Sequence, residues 1–339
     1  MSTEQQSSAG TPPAMQLMRL LWPGAIVVQA VHVAAKLRIA DLVASEPKSA
    51  DELARSSSAN SPSLRRLLRA LTSLGIFQED DDGRFRQSPL SDALRGDHPH
   101  SIRPFAMMLG AGFVWKPAGE LAAAIESGRP AFEQVYGAQF FKHLAAHEDD
   151  AAVFNAAMSS MPAYLTAIAD AYDFSKFERL VDVGGGHGAL LTAILTKHPR
   201  LRGVLHDLPA VVESAPRAQA SVADRLETAA GDFFESVPPG ADAYLLKGVI
   251  HDWNDDAALR ILKNCRRAMR PDSRLLIVEQ LLTPSSDPGS AMMDVLMIVL
   301  TDGRERSESD FRSLLGAAGL SLTTVTPTMG PSILESRPV

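Results

Sequence analysis

Cysteine is almost missing from this chain: one residue, Cys265, in 339. A disulfide within the chain is therefore excluded, along with the class of small secreted scaffolds stapled by such bonds, and a reducing compartment fits. Positive charge is in the minority, with 33 Lys and Arg against 40 Asp and Glu and a net charge of −7. That balance argues against nucleic acid or an anionic membrane as a partner. No basic-then-apolar signal opens the chain, and no apolar run is expected to reach transmembrane length. A serine nucleophile elbow, a Walker loop and zinc-ligand spacing are also missing. These absences lead to the expectation of a cytoplasmic protein.

What is present is ordinary globular composition, 45% apolar and 22% charged, over a length that suits two domains. Residues 1–13 are small and polar and read as a disordered N-terminus. Residues 14–100 begin with two helical stretches, Met15 to Leu21 and Ala25 to Leu37, separated by Pro23-Gly24 and apolar on more than one face. Such helices need burial on several sides, and a second copy of the chain would supply it. Ser49-Ala50-Asp51-Glu52 is a capping box, and Ser61-Pro62 opens a helix with Leu64, Leu67, Leu68, Leu71 and Leu74 on one side. Ile76 to Glu79, a turn at Asp82-Gly83 and Arg84 to Arg86 then form a hairpin. Helices followed by a hairpin make a winged helix, which invites a DNA-binding reading. The acidic run Glu79-Asp80-Asp81-Asp82 at the wing tip disfavours it, and a packing or dimerisation module is preferred. Residues 101–175 are helical and rich in Met and Phe, mostly as core, with some side chains suited to lining an apolar pocket. His98 and His100, in a Pro-containing loop, lack the partners a metal site needs.

The stretch Leu180-Val181-Asp182-Val183-Gly184-Gly185-Gly186-His187-Gly188 organises the rest. Apolar residues run into four glycines, and a helical pattern follows from Ala189. This reads as a buried strand, a tight turn where a ligand can approach the backbone, and a helix start. Gly184-x-Gly186-x-x-Ala189 also fits the dinucleotide fingerprint, so the glycines alone leave a nicotinamide cofactor open. Asp207 ends the second strand, Arg202 to Asp207, where a carboxylate accepts the hydroxyls of a ribose. In Gly231-Asp232-Phe233-Phe234, Asp232 suits an adenine amine and Phe233 its ring face; the plainer reading is a turn with a buried Phe. Lys247-Gly248-Val249-Ile250-His251-Asp252-Trp253 closes another strand, Glu279 ends the next, and Glu305 stands in Gly303-Arg304-Glu305-Arg306-Ser307. Strand carboxyl ends form the ligand edge of such sheets. There Lys247 can meet a ligand carboxylate and His251 can act as a base near its ordinary imidazole pKa. Cys265, on a helix from about Asp255 to Met269, reads as packing. The tail reads as two strands joined through Gly330-Pro331. An alternating β/α domain that closes on a hairpin fits a methyltransferase sheet better than a dinucleotide fold.

In this order and spacing, the motifs at residues 181–188, 206–209, 231–234, 247–253 and 303–307 resemble those of the class I, S-adenosylmethionine-dependent small-molecule O-methyltransferases. The similarity is to the plant caffeate/flavonoid type and its bacterial antibiotic-tailoring relatives, and it runs from about residue 15 onward. Phe154-Asn155-Ala156-Ala157-Met158 is similar to the family's helix above the methyl donor. The resemblance implies an α/β protein: a Rossmann-like methyltransferase domain over residues 176–339, and a mainly helical winged-helix dimerisation domain giving a homodimer. Residues 101–175 connect the two. It further implies no metal, and S-adenosylmethionine bound by Gly184, Gly186, Asp207, Gly231, Asp232, Phe233 and Lys247. His251 would be the general base, with Glu279 and Glu305 beside it. Phe154, Met158, Met293, Leu296 and Met297 would line the pocket of a small aromatic hydroxyl substrate. One position departs from the pattern, His206, where the family usually has an apolar residue. A few relatives keep fold and donor but hydroxylate or decarboxylate, which stands as the rival expectation, and a nicotinamide-dependent oxidoreductase stands behind it.

Overall fold

The computed structural model describes residues 12–160, 162–216, 219–328 and 330–339. The disorder expected of residues 1–13 falls, except for its last two positions, outside the described residues; Pro13 itself opens a helix. The chain divides into two compact units, Met1–Ala111 and Gly112–Val339.

In the first unit, the helices Pro13–Leu21 and Gly24–Lys36 leave Met15, Leu17, Met18, Leu20, Leu21, Trp22 and Ile26 exposed. Contrary to the sequence expectation, the stretch Pro13–Lys36 is long and apolar enough, by length and composition, to cross a bilayer. Neither helix alone is that long: they have 9 and 13 residues and are broken at Trp22-Pro23, as the sequence led one to expect. Ser49 caps the Ala50–Ser57 helix as the sequence requires: its hydroxyl accepts the Glu52 N–H, and the Glu52 carboxylate accepts the Ser49 N–H at 2.7 Å. The Ser61–Ser73 helix is capped one residue earlier than expected, by Asn60. It buries Leu64, Leu68 and Leu71, while Leu74, at its C-cap, stays exposed. Strands β1 (Phe77–Glu79) and β2 (Phe85–Gln87) pair antiparallel and bury Phe77 and Phe85 beside Leu53, Leu68 and Leu71. The acidic wing tip is turn chemistry: the Asp80 carboxylate accepts the N–H groups of Asp82 and Arg84. Arg65 is tied to Glu79.

The second unit opens with short helices and then builds a seven-stranded sheet of order β5-β4-β3-β6-β7-β9-β8. β3 (Arg179–Val183), β4 (Arg202–Asp207), β5 (Leu226–Ala230), β6 (Ala243–Lys247) and β7 (Arg274–Glu279) are parallel. β8 (Leu320–Pro327) and β9 (Ser332–Pro338) form the expected closing hairpin, with β9 antiparallel to β7. The central strands are continuous apolar runs because the sheet is covered on both faces. One face packs Ile250, Ile261, Leu262, Cys265 and Phe311; the other packs Phe174, Leu190, Leu191 and Ile194. Cys265 is fully buried, and burial pushes its thiol up to about 12, so it is packing, as expected. The strand order reverses between β3 and β6, and at such a switch point the loops diverge and open a crevice at the carboxyl ends. Gly184, Asp207 and Lys247 all stand at that edge.

Candidate active site

The glycine turn follows directly from β3. Gly184 and Gly186 take φ of +67° and +58°, values that L side chains resist. A Cβ at Gly184 would lie 2.9 Å from Val249 Cγ2 and 3.3 Å from Phe233 Cε1. The turn is thus packed against the end of β6 and against Phe233 at once. Above Gly186 a Cβ would meet nothing within 4 Å, so the turn is open on that side. Asp207 uses one carboxylate oxygen for the Gly186 N–H, at 2.8 Å, and the other for the Leu208 N–H, at 2.7 Å. Each oxygen keeps a lone pair for a further donor. Burial pushes the Asp207 pKa up, against those two N–H groups and the nearby His206 and His187. The Asp232 carboxylate accepts the Phe234 N–H at 2.7 Å and shapes the loop that presents Phe233. Gly231 enters that loop by donating its N–H to the Asp207 carbonyl, 2.9 Å away.

The second half of the site sits at the ends of β6 and β7. Glu279 is buried, and its Oε1 accepts the N–H groups of Val249, Ile250 and His251 at 3.1, 2.8 and 3.3 Å. These three bonds hold the short helical turn Ile250–Asp252 that carries His251. His251 Nδ1 lies 2.8 Å from Glu305 Oε1 and 3.6 Å from Glu279 Oε2, while Nε2 lies 3.8 Å from Asp252 Oδ1. With Nδ1–H donated to Glu305, Nε2 remains to exchange a proton with a ligand. Burial pulls the His251 pKa down, but Glu279, Asp252 and Glu305 overcome it and push it up to about 10. The near-ordinary pKa expected from sequence is therefore corrected: three carboxylates from separate segments converge on the ring. The Lys247 side chain makes no ion pair or hydrogen bond among the described residues; burial lowers its pKa while Asp182, Glu279 and Asp252 raise it. Asp182 and Asp252 are each pushed up to about 7, chiefly by burial.

Four contributors were not legible in the sequence. Asp252 adds the third carboxylate around His251. Asp294 Oδ1, on the Pro288–Leu300 helix, accepts the Glu305 N–H at 2.8 Å and orients that loop. Arg306 is almost wholly buried and donates to the carbonyls of Ile250 and Trp253, at 2.9 and 2.8 Å, and to Asp255 at 2.7 Å. It fastens the Gly303–Ser307 loop to the turn bearing His251, and Gly303 is wedged so closely there that a Cβ would fall 1.9 Å from the His251 carbonyl oxygen. Tyr164, on the Pro162–Asp170 helix, has its phenol pKa raised by burial and by the charges of Glu279 and Glu305. Sequence distance hid Asp294, Arg306 and Tyr164; Asp252 stood beside His251 in the same motif, and what was hidden was that its carboxylate turns onto the ring.

Of the expected pocket residues, Phe154 on the Glu148–Met158 helix reaches the site through Phe141. Its ring lies 6.1 Å from Phe141, which stacks on Trp253 at 5.5 Å. Met293, Leu296 and Met297 share the helix of Asp294, Met297 being buried; Met158 ends its helix in an exposed position. His251, Glu279 and Glu305 offer three ligand atoms within 4.8 Å of one another, the spacing of a metal site. The Nδ1–Glu305 bond and the three N–H bonds to Glu279 account for that spacing without one. The residues fit S-adenosylmethionine: an open glycine turn, a carboxylate with spare lone pairs for a ribose, an aromatic face at Phe233, and a lysine without an ion pair.

Two family models match the chain: an O-methyltransferase domain over residues 118–321 and an O-methyltransferase dimerisation domain over residues 20–97. A phenazine O-methyltransferase from Lysobacter antibioticus is 40% identical over 340 residues, covering 99% of each chain. The solved structure of the mitomycin 7-O-methyltransferase MmcR superposes with a TM-score of 0.90 at 37% identity, covering 96% of this chain and 98% of the other. An O-methyltransferase from neocarzinostatin biosynthesis, solved with S-adenosylmethionine and 2-hydroxy-5-methyl naphthoic acid, gives a TM-score of 0.81 at 34% identity, covering 95% and 98%.

Proposed function

The chain belongs to the S-adenosylmethionine-dependent O-methyltransferase family, and from that premise we propose that it methylates a hydroxyl group on a small aromatic acceptor, with His251 Nε2 taking the hydroxyl proton. The observation that carries this reading is the His251–Glu305 pair, Nδ1 to Oε1 at 2.8 Å, at the sheet edge that also holds the glycine turn and Asp207. The methyl donor, when bound, supplies an electrophilic methyl on a positively charged sulfur. The chain supplies the rest. Asp207 takes the ribose hydroxyls, Phe233 covers the adenine, and Lys247 meets the carboxylate of the methionyl end. Met293, Leu296, Met297, Phe154 and Met158 wall the acceptor.

An aromatic hydroxyl with a pKa near that of tyrosine, about 10, is a poor nucleophile at neutral pH, so its proton has to leave. An imidazole held at about 10 carries a proton on each nitrogen at neutral pH, so Nε2 takes the hydroxyl proton only after releasing its own to solvent. Once it has, its proton affinity matches that of the hydroxyl, and the one remaining proton is shared between them at little cost. Glu305 fixes the tautomer, Glu279 fixes the turn, and Asp294 and Arg306 fix Glu305. The exposed Pro13–Leu21 face and the dimerisation-domain match support a homodimer. The acidic balance supports a cytoplasmic enzyme without nucleic acid or membrane partners.

The test is turnover with S-adenosylmethionine and a panel of hydroxylated fused-ring aromatics, read by mass. A product heavier by one CH₂ supports the reading; one heavier by oxygen, or lighter by CO₂, replaces it with tailoring chemistry of another kind. His251→Ala is expected to keep binding S-adenosylhomocysteine and to lose about 10²–10⁴-fold in turnover on a weakly acidic phenol. Wild-type turnover in that variant would remove His251 from the base role.

A further inference from the structure

His206 is buried at the end of β4, directly before Asp207. Both of its ring nitrogens face backbone carbonyl oxygens: Nδ1 lies 2.8 Å from Ala229 O and Nε2 lies 3.1 Å from Ser236 O. A neutral imidazole has one N–H and one lone pair, and could satisfy only one of these carbonyls while the lone pair repelled the other. Carrying a proton on each nitrogen, the ring donates to both. We infer that His206 is a positioning residue of the cofactor site, a buried imidazolium that pins the Gly231–Ser236 loop to β4 and supports the charge on Asp207.

The two carbonyls bracket the loop that presents Asp232 and Phe233. Ala229 lies one residue before the end of β5, and Ser236 closes a turn by donating its N–H to the Asp232 carbonyl at 3.0 Å. The ring occupies the space beneath the loop's first residue: a Cβ at Gly231 would stand 2.9 Å from His206 Cε1. One side chain therefore fixes both ends of the segment. Its charge also opposes the effect of burial on Asp207, together with the N–H groups of Gly186 and Leu208. An apolar residue at this position would leave the two carbonyls without these donors and Asp207 without its neighbouring cation. The other charged groups on the elements packed around the ring are Arg179 and Asp182 on β3, Arg202 on β4, Glu227 on β5, and Asp232 and Glu235 in the loop.

This inference rests on the assignment of this edge to S-adenosylmethionine, and the experiment separates the two. Ring-¹⁵N-labelled full-length protein, with His206 assigned by difference from His206→Gln, is observed by NMR at neutral pH, and S-adenosylhomocysteine affinity is measured by calorimetry for wild type, His206→Leu and His206→Gln across a pH series. Two protonated ring nitrogens are expected at His206. Affinity in folded His206→Leu is expected to fall about 10–100-fold at neutral pH. His206→Gln, a neutral donor, is expected to restore part of it. A single protonated nitrogen at His206, or equal affinity in wild type and His206→Gln at every pH, overturns the inference. Should His206→Leu fail to fold, the NMR signature and His206→Gln still decide. No binding of S-adenosylhomocysteine by wild type would count against the cofactor assignment instead.

Discussion

Replacing Glu305 by Gln removes one charge from the base assembly while keeping an oxygen able to accept the His251 Nδ1–H, now 2.8 Å from Oε1. Two unit charges about 4 Å apart interact by about 4 kcal/mol at an effective dielectric of 20, and every 1.4 kcal/mol is a factor of ten. The imidazole's proton affinity should therefore fall by about one to three powers of ten, the upper figure ignoring relaxation. Glu279 and Asp252 remain, so His251 moves from about 10 toward its ordinary range rather than below it. Glu279 would be a poorer choice, since its Oε1 holds three backbone N–H groups. The productive complex carries one proton between the imidazole and the acceptor oxygen. Below both pKa values each group holds a proton, and kcat/KM rises with pH as one of them leaves; above both, none is left. With His251 at about 10 and a simple phenol near 10, the wild-type curve should climb through pH ~7–9 without levelling. Glu305→Gln should level off at lower pH, with a plateau about 10–100-fold below the wild-type maximum because its base is weaker. The assay is kcat/KM against pH on such a phenol, with S-adenosylhomocysteine affinity as the folding and binding control. Superimposable profiles in a folded variant would refute the assignment of Glu305 as one of the charges that raise His251.

Asp207→Ala should weaken S-adenosylhomocysteine binding by about 1–3 kcal/mol, measured by calorimetry, because two ribose hydroxyls lose their acceptor; unchanged affinity would remove Asp207 from the site. Gly303→Ala should cost several-fold or more in turnover and lower the melting temperature. Its Cβ would meet the His251 carbonyl at 1.9 Å, and backbone there cannot swing aside; a melting temperature and activity like wild type would show that this contact is not held in solution. Sedimentation should give a dimer of this 36.4 kDa chain at micromolar concentration, and Leu17→Glu with Leu20→Glu should shift it toward monomer. A wild-type monomer would contradict the dimer reading.

The parts of this site that lie within one short segment were legible in the sequence. The glycine turn after β3, Asp207 at the end of β4 and Lys247 at the end of β6 are local consequences of strand-then-loop patterning, and the closing hairpin pointed to the right sheet. The capping box at Ser49 could be read because both partners lie within three residues of each other. The resemblance put Glu279 and Glu305 beside His251, and Glu305 does sit on its Nδ1. The burial of both carboxylates and the turning of Asp252 onto the ring are not displayed by the segments themselves, so the ring's proton affinity was misjudged even though its place was found. Asp294 and Arg306 were missed because the groups they hold lie far from them in sequence. His206 was noticed but had no reading, because its meaning lies in two backbone carbonyls, which a sequence does not display.

The buried Arg306 staple bears on how such a site can be re-engineered. It welds the loop of Glu305 to the turn of His251 through two carbonyls and a carboxylate, so the proton-handling parts form one stiff block anchored in the sheet. The residues proposed as acceptor walls, by contrast, come from separate helices, with Met158 near solvent and Met293 and Leu296 half-buried. Segment exchange along those walls, among chains that keep the block, is the natural route to new acceptor range: the reagent end stays constant while the mould around the acceptor is recast.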